Sequence, residues 1–487
     1  MKKIYIIATI LLGSLFVSSC DAFLTVNPSN QAPADNYVRT TADAQVMING
    51  IMRYMSSSAY YGRDFLVHSD YKGGDMVPLM MGRGSDSYYS FNQTSEANSG
   101  SGFWNQMYYC LMQINNLLVN IEKLQEEGLS GLDPYKGITL ILRAQIHFDL
   151  VRLYGLPYNF KPDSYGVPIA ARVFDAYDQP TRNSVKEVYD QILADINAGT
   201  PLVGDSYKNN SINFHYYAKS LLSKVYLYMD NFSGALQLAE EVINGKKYTL
   251  YTNANWMDSW AKAFGSESIF ELAMYDSEAD LGSSSLGYYY LPKGFFGVSG
   301  ILTASNYYLN RLGEDPDDIR WGLMLADEKD VPTGVRRFGG TCKWVGGPNM
   351  TGDKGKASAV NIKVMRYSEI YLIAAEAALM SNNSAKAATY LNEIRKRSPN
   401  LAPATASTVT RRMILDERSK EFYAEGHKFF EEIRANQTLE FNDDIVEGGF
   451  SSANRSKTMD RTFYKVVLPI PRVETVPNPN IQQNPGY

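Results

Sequence analysis

The chain has 487 residues, 45% hydrophobic and 20% charged, which is enough apolar side chain to bury a large core. A formal net charge of −5 gives no general attraction for phosphate backbones and argues against a nucleic-acid partner. After the first residues no apolar run approaches the roughly 20 residues needed to cross a membrane, so the body of the chain is expected to be soluble.

The N-terminus combines a charged head, Met1-Lys2-Lys3, an apolar run from Ile4 to Val17, and the tetrad Val17-Ser18-Ser19-Cys20. This is the pattern of a secretory signal ending in a bacterial lipobox. Residues 1–19 are expected to be removed and Cys20 to be acylated. Several acyl chains on one residue suffice for stable anchoring to a membrane surface. Residues 20–40, polar and containing Asn27-Pro28 and Ala32-Pro33, read as a tether.

Helical periodicity is predicted over 42–55 and lost over 56–103, which is rich in Gly, Ser and Tyr. Long irregular stretches of this kind are often functional. Over 104–126, Met107, Cys110, Leu111, Ile114, Leu117, Leu118 and Ile121 lay an apolar stripe along one helical face, and Gly128 and Gly131 end it. Further helices are predicted over 138–154, 184–197, 214–229 and 233–243, the last with Ser233 as its N-cap. In 219–242 the slots of a tetratricopeptide (TPR) hairpin hold Leu222, Ser223, Tyr226, Ala235, Ala239 and Val242. The same slots 152 residues later hold Ala374, Ala375, Ala378, Ala387, Leu391 and Ile394. Between them, over 248–363, periodicity disappears and aromatics crowd with Gly and Ser. The fold class expected is mainly α, with a loop-rich irregular portion packed on helical hairpins.

Cys110 and Cys342 are either a lone disulfide or two separately buried thiols. The four histidines show no metal-ligand spacing, and no metal or cofactor is expected. No Gly-x-Ser-x-Gly elbow, phosphate-binding loop or His-Glu-x-x-His signature is present, so the chain is not expected to be an enzyme. Arg366, Glu369, Glu376, Arg418, Glu421 and Glu425 lie in apolar helical surroundings and are expected to pair between helices.

Several segments taken in order resemble one known family. These are Leu142-Arg143-Ala144, Leu153-Tyr154-Gly155, Tyr165-Gly166-Val167-Pro168, 365–377, 416–422, Glu425-Gly426-His427-Lys428-Phe429-Phe430-Glu431, Leu468-Pro469-Ile470-Pro471 and the terminal Asn484-Pro485-Gly486-Tyr487. Together with the lipobox they are similar to the SusD/RagB outer-membrane lipoproteins of Bacteroidetes. Lys428 and Glu431 stand where that family often has Arg and Asp. The resemblance implies a single SusD-like domain over 41–487, in halves of about 41–245 and 246–487, with about four TPR-like hairpins. It also implies an outward-facing outer-membrane location, a SusC-like TonB-dependent transporter as partner, and capture of glycans without catalysis. Peptide capture of the RagB type, or a lid that touches only the transporter, are the alternatives. Asp21 after the lipid cysteine would point to the inner membrane by enterobacterial sorting; the resemblance points outward.

Sugar capture needs flat aromatic faces for the C–H side of pyranose rings and polar groups for hydroxyls. The 35 tyrosines supply such faces in the two irregular stretches. The candidate ligand residues are Tyr71, Tyr88, Tyr89, Trp104 and Asn105 in the first, and Tyr288, Tyr289, Tyr290, Phe295, Phe296 and Trp321 in the second. At least one ring of the 288–290 triplet is expected to face solvent.

Overall fold

The computed structural model describes residues 38–487 apart from 83–85, 97, 176, 206, 276–284, 299, 327–337, 447–448 and 451–453. The leader, Cys20 and most of the 20–40 tether lie outside the described residues. No described helix is long and apolar enough to cross a membrane.

The longer helices of the first half are α1 (Thr41–Met55), α2 (Asp64–Lys72), α3 (Asn98–Glu126), α4 (Asp133–Tyr154), α5 (Val185–Gly199), α6 (Phe214–Tyr228) and α7 (Phe232–Asn244). Those of the second half are α8 (Asn306–Leu312), α9 (Tyr367–Met380), α10 (Ser384–Arg395), α11 (Arg411–Glu421) and α12 (Lys428–Arg434). Local chemistry sets several starts. Thr40 with Asp43, and Ser184 with Glu187, form capping boxes, each satisfying two orphan backbone donors. Pro134 stands in the first turn of α4, where its missing N–H costs nothing, so that helix begins before the predicted 138. Asn231, not Ser233, caps α7. Helix α2 is buried on all sides and so carries no amphipathic period.

Antiparallel neighbours α4–α5, α6–α7 and α9–α10 pack as hairpins, and α7 of one lies against α9 of the next. The 152-residue register found in the sequence extends to the turns. Asp230 and Asn382 both take the left-handed conformation, at φ 58° and 60°. Asn231 and Asn383 then accept from the amides of Gly234 and Lys386, at 3.2 and 3.1 Å. Ala235, Ala239, Ala374, Ala375, Ala378 and Ala387 are fully buried between the helices; small side chains are what such close approach requires.

The strands are short and paired two by two, all antiparallel. β1 (Met76–Pro78) pairs with β3 (Leu302–Ala304), β2 (Ser268–Leu272) with β6 (Ile362–Arg366), and β4 (Met324–Ala326) with β5 (Phe338–Thr341). A fourth pair joins Leu439–Glu440 to Thr458–Met459. The mainly α expectation holds, and the β2–β6 ribbon packs the second irregular stretch against α6 and α9.

The interior of the second half is ionic. Arg366 at the end of β6 reaches Glu425 at 2.8 Å, Glu421 at 3.0 Å and Glu267 at 3.4 Å. Arg434 binds Glu376 at 2.5 Å and also Glu431. Lys224 of α6 reaches Glu369 of α9 at 2.8 Å, and Arg418 lies against Glu369 and Glu431. All six charged residues expected to pair between helices are buried and paired, but Arg366 at the end of β6 and Glu425 in the turn before α12 lie outside the helices. Lys428 pairs with Glu432, 2.6 Å away, while Glu431 serves the arginines. Burial alone would raise the Glu421 carboxyl, but the guanidinium groups of Arg366, Arg397 and Arg320 outweigh it and bring it down to about 2.

Removing one partner of a buried pair strands the other. Arg434→Met is therefore expected to cost roughly 3–5 kcal/mol in urea unfolding. Lys386→Ala, which breaks the more exposed pair with Glu240, should cost less than about 1 kcal/mol.

Cys110 and Cys342 are separate, buried thiols. Burial pushes both up to about 12, so neither ionises in the native state near neutral pH. In a Cys20→Ala background, a thiol titration is expected to be silent in the native protein and to report both cysteines after denaturation.

Candidate functional site

The two irregular stretches meet. β1 and β3 register Met76 opposite Ala304 and Pro78 opposite Leu302, and the Leu79 amide continues the ladder to the Ile301 carbonyl at 2.9 Å. Beside this ribbon stands a single helical turn, Leu286–Tyr289, whose N-cap Ser285 accepts from the Tyr288 amide at 3.2 Å.

That turn is clamped from behind. A Cβ on Gly287 would sit 2.5 Å from the Trp344 carbonyl, and one on Gly340 would sit 2.1 Å from the Tyr290 carbonyl, so both positions require glycine. Trp344 is itself fixed, its indole N–H donating to the Ala424 carbonyl at 2.7 Å. Tyr290 points inward and its hydroxyl donates to Asp70 at 2.5 Å. Tyr289 is buried with the Arg63 guanidinium 5.6 Å from its ring centre. Tyr288 is half-buried, with its ring packed at the edge of the core.

Over Tyr288 lies Phe296, stacked with ring centres 5.2 Å apart and planes 23° apart. Phe296 is 52% exposed and sits in the left-handed region, φ 46° and ψ 27°. For a bulky L residue that conformation costs on the order of 1–2 kcal/mol. Gly294 at φ 91° and Gly297 at φ 73° flank it, and the loop closes through the Gly294 amide to Val298 and the Val298 amide to Phe295. The result is a shelf in which Phe296 is exposed and Tyr288 and Phe295, both half-buried, support it. Nothing in it supplies a nucleophile or a general base. What it offers is flat apolar surface.

The other candidates are placed differently. Tyr71, Tyr88, Tyr89, Tyr289 and Tyr290 are buried and cannot form part of a solvent-facing platform. Their hydroxyls explain why: Tyr71 donates to the Ile301 carbonyl and Tyr89 to Asp443, so each polar tip is satisfied inside. Trp104 is also buried, edge-on to Tyr154. With exposed Asn105 it borders a separate cavity of about 650 Å³ that also includes Tyr109 and Tyr177. Trp321 is half-buried, its N–H donating to the Asp315 carbonyl at 3.3 Å. No ring of the 288–290 triplet is fully exposed: Tyr288 is half-buried beneath Phe296, and Tyr289 and Tyr290 are buried. Arg63 and Asp70, which position the turn, were not foreseen; their partners are more than two hundred residues away. Glu369, His427 and Glu431 bring three potential ligand atoms within 4.8 Å, but Lys224, Arg418 and Arg434 already occupy those carboxylates.

Comparison with known proteins places the fold. The family model described as "SusD family" matches residues 325–487, and one described as "Starch-binding associating with outer membrane" matches 22–227. A crystal structure of a SusD superfamily protein from Bacteroides thetaiotaomicron is 31% identical with a TM-score of 0.83, covering 92% of this chain and 100% of that one. The chain belongs to the SusD superfamily. A Bacteroides vulgatus protein described as putatively sugar binding is 30% identical with a TM-score of 0.82, covering 93% of this chain and 99% of the other. SusD-like protein P2 of Formosa agariphila is 25% identical across the whole of both chains.

Asp70 carries a pH signature of this SusD-like site. Burial pushes its carboxyl up to about 8 from 3.8, against the opposing hydrogen bonds from Tyr290 and the Gly426 amide. As pH rises the unfolded chain releases this proton first, so the contribution to stability is full below about pH 4 and is lost through about pH 8. Melting of wild type and Asp70→Asn across that range should show wild type losing ground to the variant as pH rises. Parallel curves would contradict the assignment.

Proposed function

We propose that this chain is a cell-surface glycan-binding lipoprotein, anchored through acylated Cys20 to the outer membrane and facing outward. It hands its ligand to a SusC-like TonB-dependent transporter. The observation that carries the reading is the stacked Tyr288–Phe296 pair, with Phe296 held outward on a strained backbone above a clamped turn. Pyranose rings present an apolar C–H face that matches such a surface, while binding needs no shifted catalytic group. Support comes from the starch-binding, outer-membrane description of the matching family model and from the Bacteroides vulgatus relative described as sugar binding. The lipobox supports the anchor. The chain acts by reversible capture and transforms nothing.

Isothermal titration of the full chain against a polysaccharide panel that includes soluble starch tests this. A member of the panel is expected to bind, and Phe296→Ala or Tyr288→Ala to weaken it by about five- to tenfold, the loss of one stacking contact. Silence across all glycans with heat from peptide mixtures would overturn the proposal in favour of peptide capture. Silence with both, together with copurification of a large membrane protein, would identify a lid that touches only the transporter.

A further inference from the structure

A second cavity, of about 410 Å³, opens between the C-terminal half of α1, the turn at 209–212 and β2. This lies within the roughly 300–1,000 Å³ typical of small-molecule sites. None of the shelf residues lines it. Its lining is chemically mixed in a particular way. Tyr275 is 53% exposed, and Phe264 adds a second ring. Asn49 and Asn210 supply amides, Arg53 a cation and the buried Glu271 an anion.

The polar groups are held in place. The Asn49 carbonyl accepts from Gln45 at 2.8 Å and from Asn210 at 2.6 Å, which fixes both amides and leaves the Asn49 N–H₂ and the Asn210 carbonyl for a further partner. Glu271 accepts from the Phe264 amide at 2.9 Å and the Ser268 hydroxyl at 2.7 Å, so its orientation is set as well. The turn beside it is closed by the reciprocal backbone hydrogen bonds of Asn209 and Ile212, which require left-handed backbone at the two residues between them. Asn210, Ser211 and Phe264 all lie in the left-handed region, at φ 47°, 71° and 49°. Arg53 and Glu271 are one cation and one anion on the wall, and the Lys354 ammonium lies 5.6 Å from the Tyr275 ring centre, held by the Met274 and Ala359 carbonyls, so one face of that ring is covered and the other is left for a ligand.

We propose that this cavity is a second glycan site, taking a neutral sugar residue with its C–H face on Tyr275 and its hydroxyls on the amides, Arg53 and Glu271. The inference rests on the glycan-binding reading above but not on the shelf. Two modest sites that engage one polymer chain gain effective concentration, so retention of a long glycan exceeds what either site provides.

Retention of the full chain in native gels containing soluble starch or laminarin separates the two sites. Tyr275→Ala removes the ring, and Asn210→Gly keeps the left-handed backbone while removing the amide; both positions are exposed, so the fold should survive. Each is expected to weaken retention by about fivefold, and Tyr275→Ala with Phe296→Ala to weaken it more than either alone. Wild-type retention in both cavity variants, with loss in Phe296→Ala, would overturn this inference and leave the shelf. Loss in the cavity variants with Phe296→Ala unchanged would support the cavity and sink the shelf. Failure of wild type to be retained by either glycan would overturn the second site for both polymers.

Discussion

A buried lattice of carboxylates and guanidinium groups fixes the register of the second half, and the aromatic shelf is mounted on it. Arg366 sits where β6 turns into α9 and binds Glu267, Glu421 and Glu425 at once. Arg320 and Lys343, both from the irregular stretch, join the same lattice through Asp318, Glu417 and Glu425. Desolvating so many charges is expensive, and hydrophobic replacements of such pairs are often as stable. What the lattice provides is register: a loop that delivers its lysine to one carboxylate has one place to be. Lys343 shows the consequence, since its ammonium also donates to the carbonyls of Glu421 and Tyr423.

From that lattice to the shelf is a short mechanical path. Lys343 precedes Trp344, whose indole is pinned to Ala424 and whose carbonyl abuts Gly287. Gly287 lies inside the turn that projects Tyr288, and Tyr288 carries Phe296. From the other side Asp70 ties Tyr290 to the Gly426 amide. The ring that faces solvent is therefore mounted on an unusually determined support. Pre-organisation of this kind lowers the entropy lost on binding, which matters for a shallow site that relies on stacking rather than on deep enclosure.

Much of this was legible in the sequence. Small residues at TPR spacing located two hairpins, and they stack directly, with turn residues Asp230 and Asn382 in the same conformation. The charged residues of the apolar helices were correctly read as paired, because a charge in such surroundings has few other options. The partners Lys224, Arg320 and Lys343 were not legible, since nothing local marks a lysine or arginine that travels across the chain. The tyrosines misled for a related reason. In an irregular stretch no alternation separates inward from outward rings, and a hydroxyl that finds a buried acceptor, as in Tyr89 and Tyr290, makes tyrosine a core residue. Only the run of glycines around Phe296 carried a usable signal, because a left-handed loop between two glycines tends to lie at the surface. The cavity at Tyr275 draws on α1, the turn at 209–212 and β2, and no linear pattern joins them.

The central claim is that a rigidly mounted aromatic tip takes up ligand without rearrangement of the lattice beneath it. Amide hydrogen exchange of the full chain, with and without a glycan that it retains, addresses this most directly. Slowed exchange at Gly294 and Val298, with the amides of α9 and α11 unchanged, is the expected pattern. Unchanged exchange at the tip, or broad changes through the helices, would contradict it.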